Sequence, residues 1–89
     1  MNEEKETLLE FPCQFPVKAM GVNKDEFVAH VLNLLAPHCP TLDESHIKTR
    51  PSSSGKYVSV TITVTATSQL HLDAIYYSLT DSERVLMAL

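Results

Sequence analysis

An unbroken alternation of polar and apolar residues between positions 57 and 67 constrains the fold more than any other feature of the chain. The segment reads Tyr-Val-Ser-Val-Thr-Ile-Thr-Val-Thr-Ala-Thr. Successive side chains of a β-strand point to opposite faces, and β-branched residues favour strands. The apolar face would consist of Val58, Val60, Ile62, Val64 and Ala66. The pattern predicts one long strand with this face in a core and a hydroxyl-rich face towards water or a partner.

The length and composition are those of one small globular domain. The chain has 89 residues, of which 44% are hydrophobic and 20% charged. A chain this short favours a single two-layer core over a deep enclosed catalytic chamber. We expect a polar N-terminal lead-in at residues 1–7, followed by a single domain at residues 8–89.

The charge and the cysteines indicate the compartment. The first six residues are Met-Asn-Glu-Glu-Lys-Glu, which does not resemble an apolar secretory segment. The two cysteines, Cys13 and Cys39, are therefore expected to be reduced thiols of a cytoplasmic protein. The net charge is −4, yet no acidic residue occurs between Ser45 and Leu72, a stretch that contains two lysines and an arginine.

Two segments precede the long strand by pattern. Residues 11–20 alternate as a strand that Gly21 would end, although Pro16 cannot donate to a ladder. Asn23 is a favourable N-cap residue, and Glu26 follows at the spacing of a capping box. An apolar helical stripe then begins at Phe27. It continues at Val31, Leu34 and Leu35, and Pro37 and Pro40 would stop the helix.

The remaining segments flank and follow the long strand. Residues 46–50 predict a short edge strand, and the turn sequence Pro-Ser-Ser-Ser-Gly at 51–55 would join it to the long strand as a hairpin. Ser68 is suited to cap a second helix. Its apolar stripe would be Leu72, Ile75, Tyr76 and Leu79. Residues 85–89 predict a last strand that is apolar on both sides, so it would be covered on both faces or form an interface.

The resulting order is β-α-β-β-α-β. Two amphipathic helices on one face of a four-stranded antiparallel sheet form a ferredoxin-like two-layer sandwich of the α+β class. The second face of the sheet would be open. It would display the hydroxyl-bearing side chains of the long strand.

The segments also carry a family resemblance. The stretches concerned are Phe11-Pro12 to Phe15-Pro16, Lys18 with Met20-Gly21, Pro51-Ser52-Ser53, Gly55-Lys56-Tyr57, Ser59-Val60-Thr61, Leu72 to Tyr76, and Val85 to Leu89. In order and spacing the chain resembles the YbeD-like family of small uncharacterised bacterial proteins. The resemblance implies a ferredoxin-like fold similar to ACT-like regulatory domains, and it supplies no functional residues.

The hairpin turn is the best local candidate for a ligand site. Three serine hydroxyls, a glycine and two flanking cations suit a carboxylate or a phosphate. A soluble hairpin tip built from turn-forming residues is the structural alternative. The candidate ligand-binding residues are Lys18, Arg50, Ser52, Ser53, Ser54, Gly55, Lys56 and Tyr57.

Lys18 and Tyr57 belong to this set because a ferredoxin-like order would place their strands side by side. Aromatic residues at such positions stack RNA bases in RNA-recognition motifs. Here the first strand offers Lys18 and Met20, and the chain is acidic, so RNA binding is only the third hypothesis.

Metal and catalytic sites are not expected. His38, Cys39 and His46 lie close in sequence but lack the ligand pairing of a zinc site. No serine or histidine stands in an elbow or triad context. We expect no enzyme, no cofactor and no metal.

The leading hypothesis is a cytoplasmic regulatory or adaptor domain that binds a small anionic metabolite. It would form a homo-oligomer through the apolar last strand. The alternative is a protein–protein interaction module that docks a metabolic enzyme without a small ligand. A membrane partner is not expected, because no apolar run reaches the roughly 20 residues of a membrane span.

Overall fold

The computed structural model describes residues 9–89, so the expected lead-in at 1–7 lies outside the described residues. These described residues form four strands, two α-helices and one short 3₁₀ turn at Glu44–His46. The elements are β1 (Cys13–Val22), α1 (Phe27–Leu35), β2 (Ile47–Pro51), β3 (Tyr57–Ala66), α2 (Gln69–Thr80) and β4 (Met87–Ala88).

The strands form one antiparallel sheet in the order β2-β3-β1-β4. The central pair, β1 and β3, is matched over its whole length from Cys13 opposite Ala66 to Val22 opposite Tyr57. β2 is an edge strand, as the sequence predicts. The element order and the sheet confirm the predicted ferredoxin-like α+β fold.

The core lies between the sheet and the two helices. The alternation of β3 places its predicted apolar face in this core, and Val60, Ile62 and Ala66 have no exposed surface. The buried helix residues are Phe27, Val31 and Leu35 of α1 and Leu72, Ile75 and Leu79 of α2. Leu34 and Tyr76, which the stripes also predicted, are half-buried against the core. The other face of β3 is therefore left open.

Pro16 lies in the interior of β1 without breaking a ladder hydrogen bond. Lys18 exchanges backbone hydrogen bonds of 2.9 and 2.8 Å with Leu89, so the even-numbered residues of β1 direct their amides towards β4. The described pairing with β1 on this side involves Lys18, Ala19 and Met20. Pro16, which has no amide hydrogen to donate, therefore lies where no described strand pairs with this side of β1.

The predicted capping box of the first helix is wrong. The helix begins at Phe27, its N-cap position is Glu26 with φ 55°, and no side chain caps it. Asn23 is used elsewhere: its amide donates to the Lys56 carbonyl at 2.8 Å, and its Nδ2 donates to the Gly55 carbonyl at 3.2 Å. A residue type that suits a cap is here held by the hairpin turn.

Two strand ends also differ from the predictions. β1 continues through Gly21 to Val22, because Gly21 packs in extended conformation under the Phe27 ring. β4 is limited to Met87–Ala88, whereas the prediction gave residues 85–89. Val85 is buried before the strand begins, and Leu86 is exposed. The last strand is consequently short and covered on one side only.

Candidate ligand-binding face of the sheet

The face of the sheet opposite the helices is the surface on which the predicted site residues lie; we call it the open face. The strand register arranges its outward residues in rows. One row runs from Lys48 on β2 through Thr61 to Lys18. The next row consists of Arg50, Ser59, Met20 and Met87, which lie opposite one another on β2, β3, β1 and β4.

The open face is cationic. Within the four described strands, no outward residue carries a carboxylate, whereas Lys18, Lys48 and Arg50 are exposed. The acidic residues of the described chain between positions 25 and 83 lie in the helices, in the 3₁₀ turn and in the loops. The fold therefore separates the charges of a chain whose net charge is −4.

A hollow of about 180 Å³ lies on this face where the hairpin begins. Its lining combines a cation, three residues with hydroxyl groups and apolar groups. The residues are Met20, Arg50, Pro51, Ser52, Tyr57, Val58 and Ser59. The structure thus brings together three of the predicted site residues, namely Arg50, Ser52 and Tyr57.

Arg50 forms a hydrogen bond through its backbone, whereas its guanidinium has no partner among residues 9–89. Its carbonyl oxygen accepts a hydrogen bond of 3.4 Å from the Ser59 hydroxyl. Within residues 9–89, the guanidinium forms no hydrogen bond and no ion pair. The Ser52 Oγ accepts a hydrogen bond of 3.1 Å from the Tyr57 amide, which positions the hydroxyl and leaves its proton as a neutral donor. Of the predicted polar groups in the hollow, the guanidinium is the strongest donor that stands ready for an anion.

The other predicted turn residues lie beyond the hollow. Ser53, Ser54, Gly55 and Lys56 form the hairpin tip, where Gly55 has φ 79°. The Ser54 hydroxyl accepts from the Lys56 amide at 3.3 Å. The Lys56 ammonium lies 5.5 Å from the centre of the Tyr57 ring. The tip therefore satisfies part of its own hydrogen-bonding capacity.

Lys18 is on the open face but outside the hollow. It pairs with Thr61, whereas Tyr57 pairs with Val22 at the end of the same two strands. Four residues separate these positions along β3, which corresponds to about 13 Å. Lys18 and Tyr57 therefore share a face without sharing a pocket.

Sequence reasoning did not assign Met20, Lys48 and Ser59 to the site. Their outward orientation follows from alternation, which the sequence shows. Their proximity follows from the register of β2, β3 and β1, which joins positions far apart in the chain. No local signal in the sequence fixes that register.

Two of the histidines tie the loops together. His71 Nδ1 accepts from the Thr67 amide at 3.0 Å, and its Nε2 donates to the His38 carbonyl at 2.8 Å. His38 Nε2 lies 2.7 Å from the Ser78 hydroxyl. These contacts link α2 to the loop after α1.

The environment of His30 favours its neutral form. Its Nε2 lies 2.8 Å from the Ser82 hydroxyl, which also accepts from the Arg84 amide at 3.2 Å. Burial and the nearby Arg84 charge lower the pKa of His30 below its ordinary value. Burial likewise raises the pKa of the Cys39 thiol. Among the residues described, no three histidine, cysteine or acidic side chains are arranged to hold a metal ion.

Comparison with known proteins places the chain in a family. The family described as "Protein of unknown function (DUF493)" matches residues 6–89. The chain belongs to this family. Proteins named UPF0250 are similar over almost the full length: one from Chromobacterium violaceum is 47% identical over all of both chains. One from Neisseria gonorrhoeae is 45% identical over 99% of this chain and 97% of its own.

The predicted resemblance to small uncharacterised bacterial proteins is thereby confirmed. The solution structure of protein HP0495 from H. pylori has a TM-score of 0.69 and 15% identity, covering 91% of this chain and 85% of that one. At this identity the likeness supports the fold alone. In the part of the chain that the structure describes, no helix combines the length and apolarity needed to cross a membrane.

Proposed function

We propose that this DUF493 domain is a non-catalytic, cytosolic regulatory or adaptor module that binds a small anionic metabolite on its open face. Arg50 would contact the anion in the hollow. The observation that supports this function is the exposed guanidinium, which has no protein partner within residues 9–89 and faces a concave surface with no carboxylate.

The chemistry of the hollow suits a carboxylate attached to a short apolar body. A guanidinium holds a carboxylate through two parallel hydrogen bonds. The Ser59 hydroxyl on the next strand donates to the Arg50 carbonyl and helps to hold this residue in place. The Met20 side chain and the Tyr57 ring offer apolar contact to the rest of the ligand. The volume is below the roughly 300 Å³ of a typical drug-sized pocket, which favours a ligand of amino-acid size.

A protein interface is the second candidate function. Leu86, Met87 and Leu89 are 60%, 50% and 62% exposed and lie in and beside β4. Exposed apolar side chains at a sheet edge suit an interaction surface. The homo-oligomer that the sequence predicts would use this edge. Sedimentation of the wild type and of Leu86→Ser with Met87→Ser tests it, and a monomer at high concentration in both would contradict the idea.

Thermal unfolding in the presence of small anions tests the leading function. Acetate, citrate, glutamate and inorganic phosphate serve as probes, and the wild type is compared with Arg50→Gln. A ligand at ten times its Kd adds about 1.4 kcal/mol to the free energy of unfolding. We expect a concentration-dependent rise of Tm for at least one carboxylate in the wild type and its loss in Arg50→Gln.

Lys24→Gln is the matched control, because Lys24 is an exposed cation outside the sheet. It should keep the full response. An equal rise of Tm in the wild type and in Arg50→Gln would contradict the assignment to the hollow. A flat response to every probe would remove the small-metabolite function.

A further inference from the structure

The open face carries more positive charge than the hollow uses. Lys18 and Lys48 flank Thr61 in one row, so two strand spacings, about 10 Å, separate their Cα atoms. Arg50 follows Lys48 on the same side of β2, about 7 Å away. Within the described chain, none of the three forms an ion pair. A small anion bound at Arg50 would leave both lysines without a charged partner among residues 9–89.

Apolar side chains border these cations directly. Met20 and Met87 continue the row of Arg50 and Ser59 across β1 and β4. Leu89, which exchanges backbone hydrogen bonds with Lys18, is 62% exposed. The open face therefore combines exposed cations with an apolar flank of Met20 on β1, Met87 on β4 and Leu89 beside β4. Methionine adapts to differently shaped apolar partners.

The combination fits an acidic protein segment better than a nucleic acid. A phosphate backbone uses cations but gains nothing from the thioether and leucine flank. β1 presents Lys18 and Met20 where base stacking needs aromatic rings. The open face does present the aromatic ring of Tyr57, but the Lys56 ammonium lies over this ring where a base would stack.

We infer that the open face docks a segment of a partner protein in which apolar side chains stand between carboxylates. Glutamates or aspartates of the partner would contact Lys18 and Lys48, and its apolar side chains would pack on Met20, Met87 and Leu89. The inference rests on the proposed function, because one carboxylate of the partner segment would occupy the same position beside Arg50. It extends that function from a small ligand to an acidic partner whose charges span two rows.

Fluorescence anisotropy with a labelled acidic peptide tests the inference. The probe has the sequence EELEELEE, and the full chain is titrated at low ionic strength. We expect saturable binding that weakens as salt is added. In Lys18→Glu with Lys48→Glu the Kd should rise at least about tenfold, since two contacts become repulsive.

Four further titrations complete the design. Lys24→Glu makes a single charge reversal away from the face and should bind the peptide nearly as the wild type does. Lys18→Gln with Lys48→Gln removes the charges without repulsion and should still weaken binding several-fold. A basic peptide, KKLKKLKK, should not bind. A single-stranded RNA of about twelve nucleotides should bind more weakly than the acidic peptide.

Several outcomes would overturn the inference. Among them are the absence of peptide binding, an equal Kd in the Lys18 and Lys48 variants, and tighter binding of the RNA. Thermal unfolding with small carboxylates separates this failure from failure of the proposed function. If a carboxylate stabilises the wild type through Arg50 while the peptide does not bind, only the acidic-partner inference falls.

Discussion

Gly21 shows how one residue can be fixed by close packing in an extended strand. A Cβ at this position would lie 2.5 Å from the Arg84 carbonyl oxygen and 2.6 Å from Cζ of the Phe27 ring. Neither distance allows a methyl group without movement of the neighbours. The sequence suggested a glycine that ends a strand, whereas the structure shows a glycine that permits contact between β1, α1 and the loop before β4.

Replacement of this glycine should therefore be costly. We expect Gly21→Ala to lower the free energy of unfolding by about 2–3 kcal/mol, as overpacking of a core does. Gly55→Ala is the matched control, since nothing lies within 4 Å of its Cβ position and only the φ of 79° opposes it. The control should cost about 1 kcal/mol. Urea unfolding measures both, and a smaller loss for Gly21→Ala than for Gly55→Ala would contradict the packing argument.

His30 should make stability depend on pH. Its pKa in the folded chain is lowered by burial and by the Arg84 charge. The unfolded state therefore binds a proton more readily, and the contribution of His30 to stability, complete above the unfolded pKa near 6.5, declines as the pH falls below it.

Urea unfolding at about pH 5.5 and about pH 7.5 tests this dependence. The wild type should lose more stability between the two pH values than His30→Gln does, since the variant has no group to titrate at that position. The comparison between the two proteins removes the contributions of the other histidines. An identical loss in both would show that His30 does not contribute.

At the scale of elements, the two helix starts explain why one cap is predictable from sequence and the other is not. Ser68 caps α2 as predicted, with its hydroxyl accepting from the His71 amide at 3.0 Å. Asn23 has an equally suitable side chain, but its Nδ2 donates to the Gly55 carbonyl of the hairpin, and the residue does not cap α1. Local pattern shows that a residue can cap. Only the tertiary contacts decide whether it does.

Substitution of the two residues should therefore act on different elements. Asn23→Ala should accelerate hydrogen exchange at the Gly55 amide, which donates to the Ser52 carbonyl in the hairpin turn, and leave the α1 amides unchanged. Ser68→Ala should accelerate exchange at the His71 amide and cost about 1 kcal/mol. Faster exchange throughout α1 in Asn23→Ala would revive the predicted capping box.

For the whole molecule, the sequence predicts the fold better than the site. Alternation and helical stripes are local, and they identify the layers, the open face and most outward residues. The hollow depends on which residues of separate strands become opposite neighbours. That register brings Met20 to Arg50 and Lys18 to Lys48 across positions distant in sequence. The sequence indicates the turn residues as the site, whereas in the structure residues 53–56 of the turn lie beyond the hollow.

The separation of charge is likewise a property of the whole chain. An acidic protein presents a sheet face without carboxylates because its described acidic residues lie elsewhere in the fold. The central claim is that this face binds an anionic group beside Arg50. Two of the three methionines, Met20 and Met87, lie on it and report directly on occupancy.

Nuclear magnetic resonance of protein labelled with ¹³C-methyl methionine and ¹⁵N provides the most direct test. During titration with citrate and with the acidic peptide, we expect saturable shifts of the Met20 methyl and of the Arg50 Nε–H signal. The peptide should in addition shift the Met87 methyl. Signals of the outward helix residues Leu70 and Tyr77 should stay in place. Saturable shifts at the helices with an unchanged Arg50 signal, or no shifts with either probe, would contradict the account.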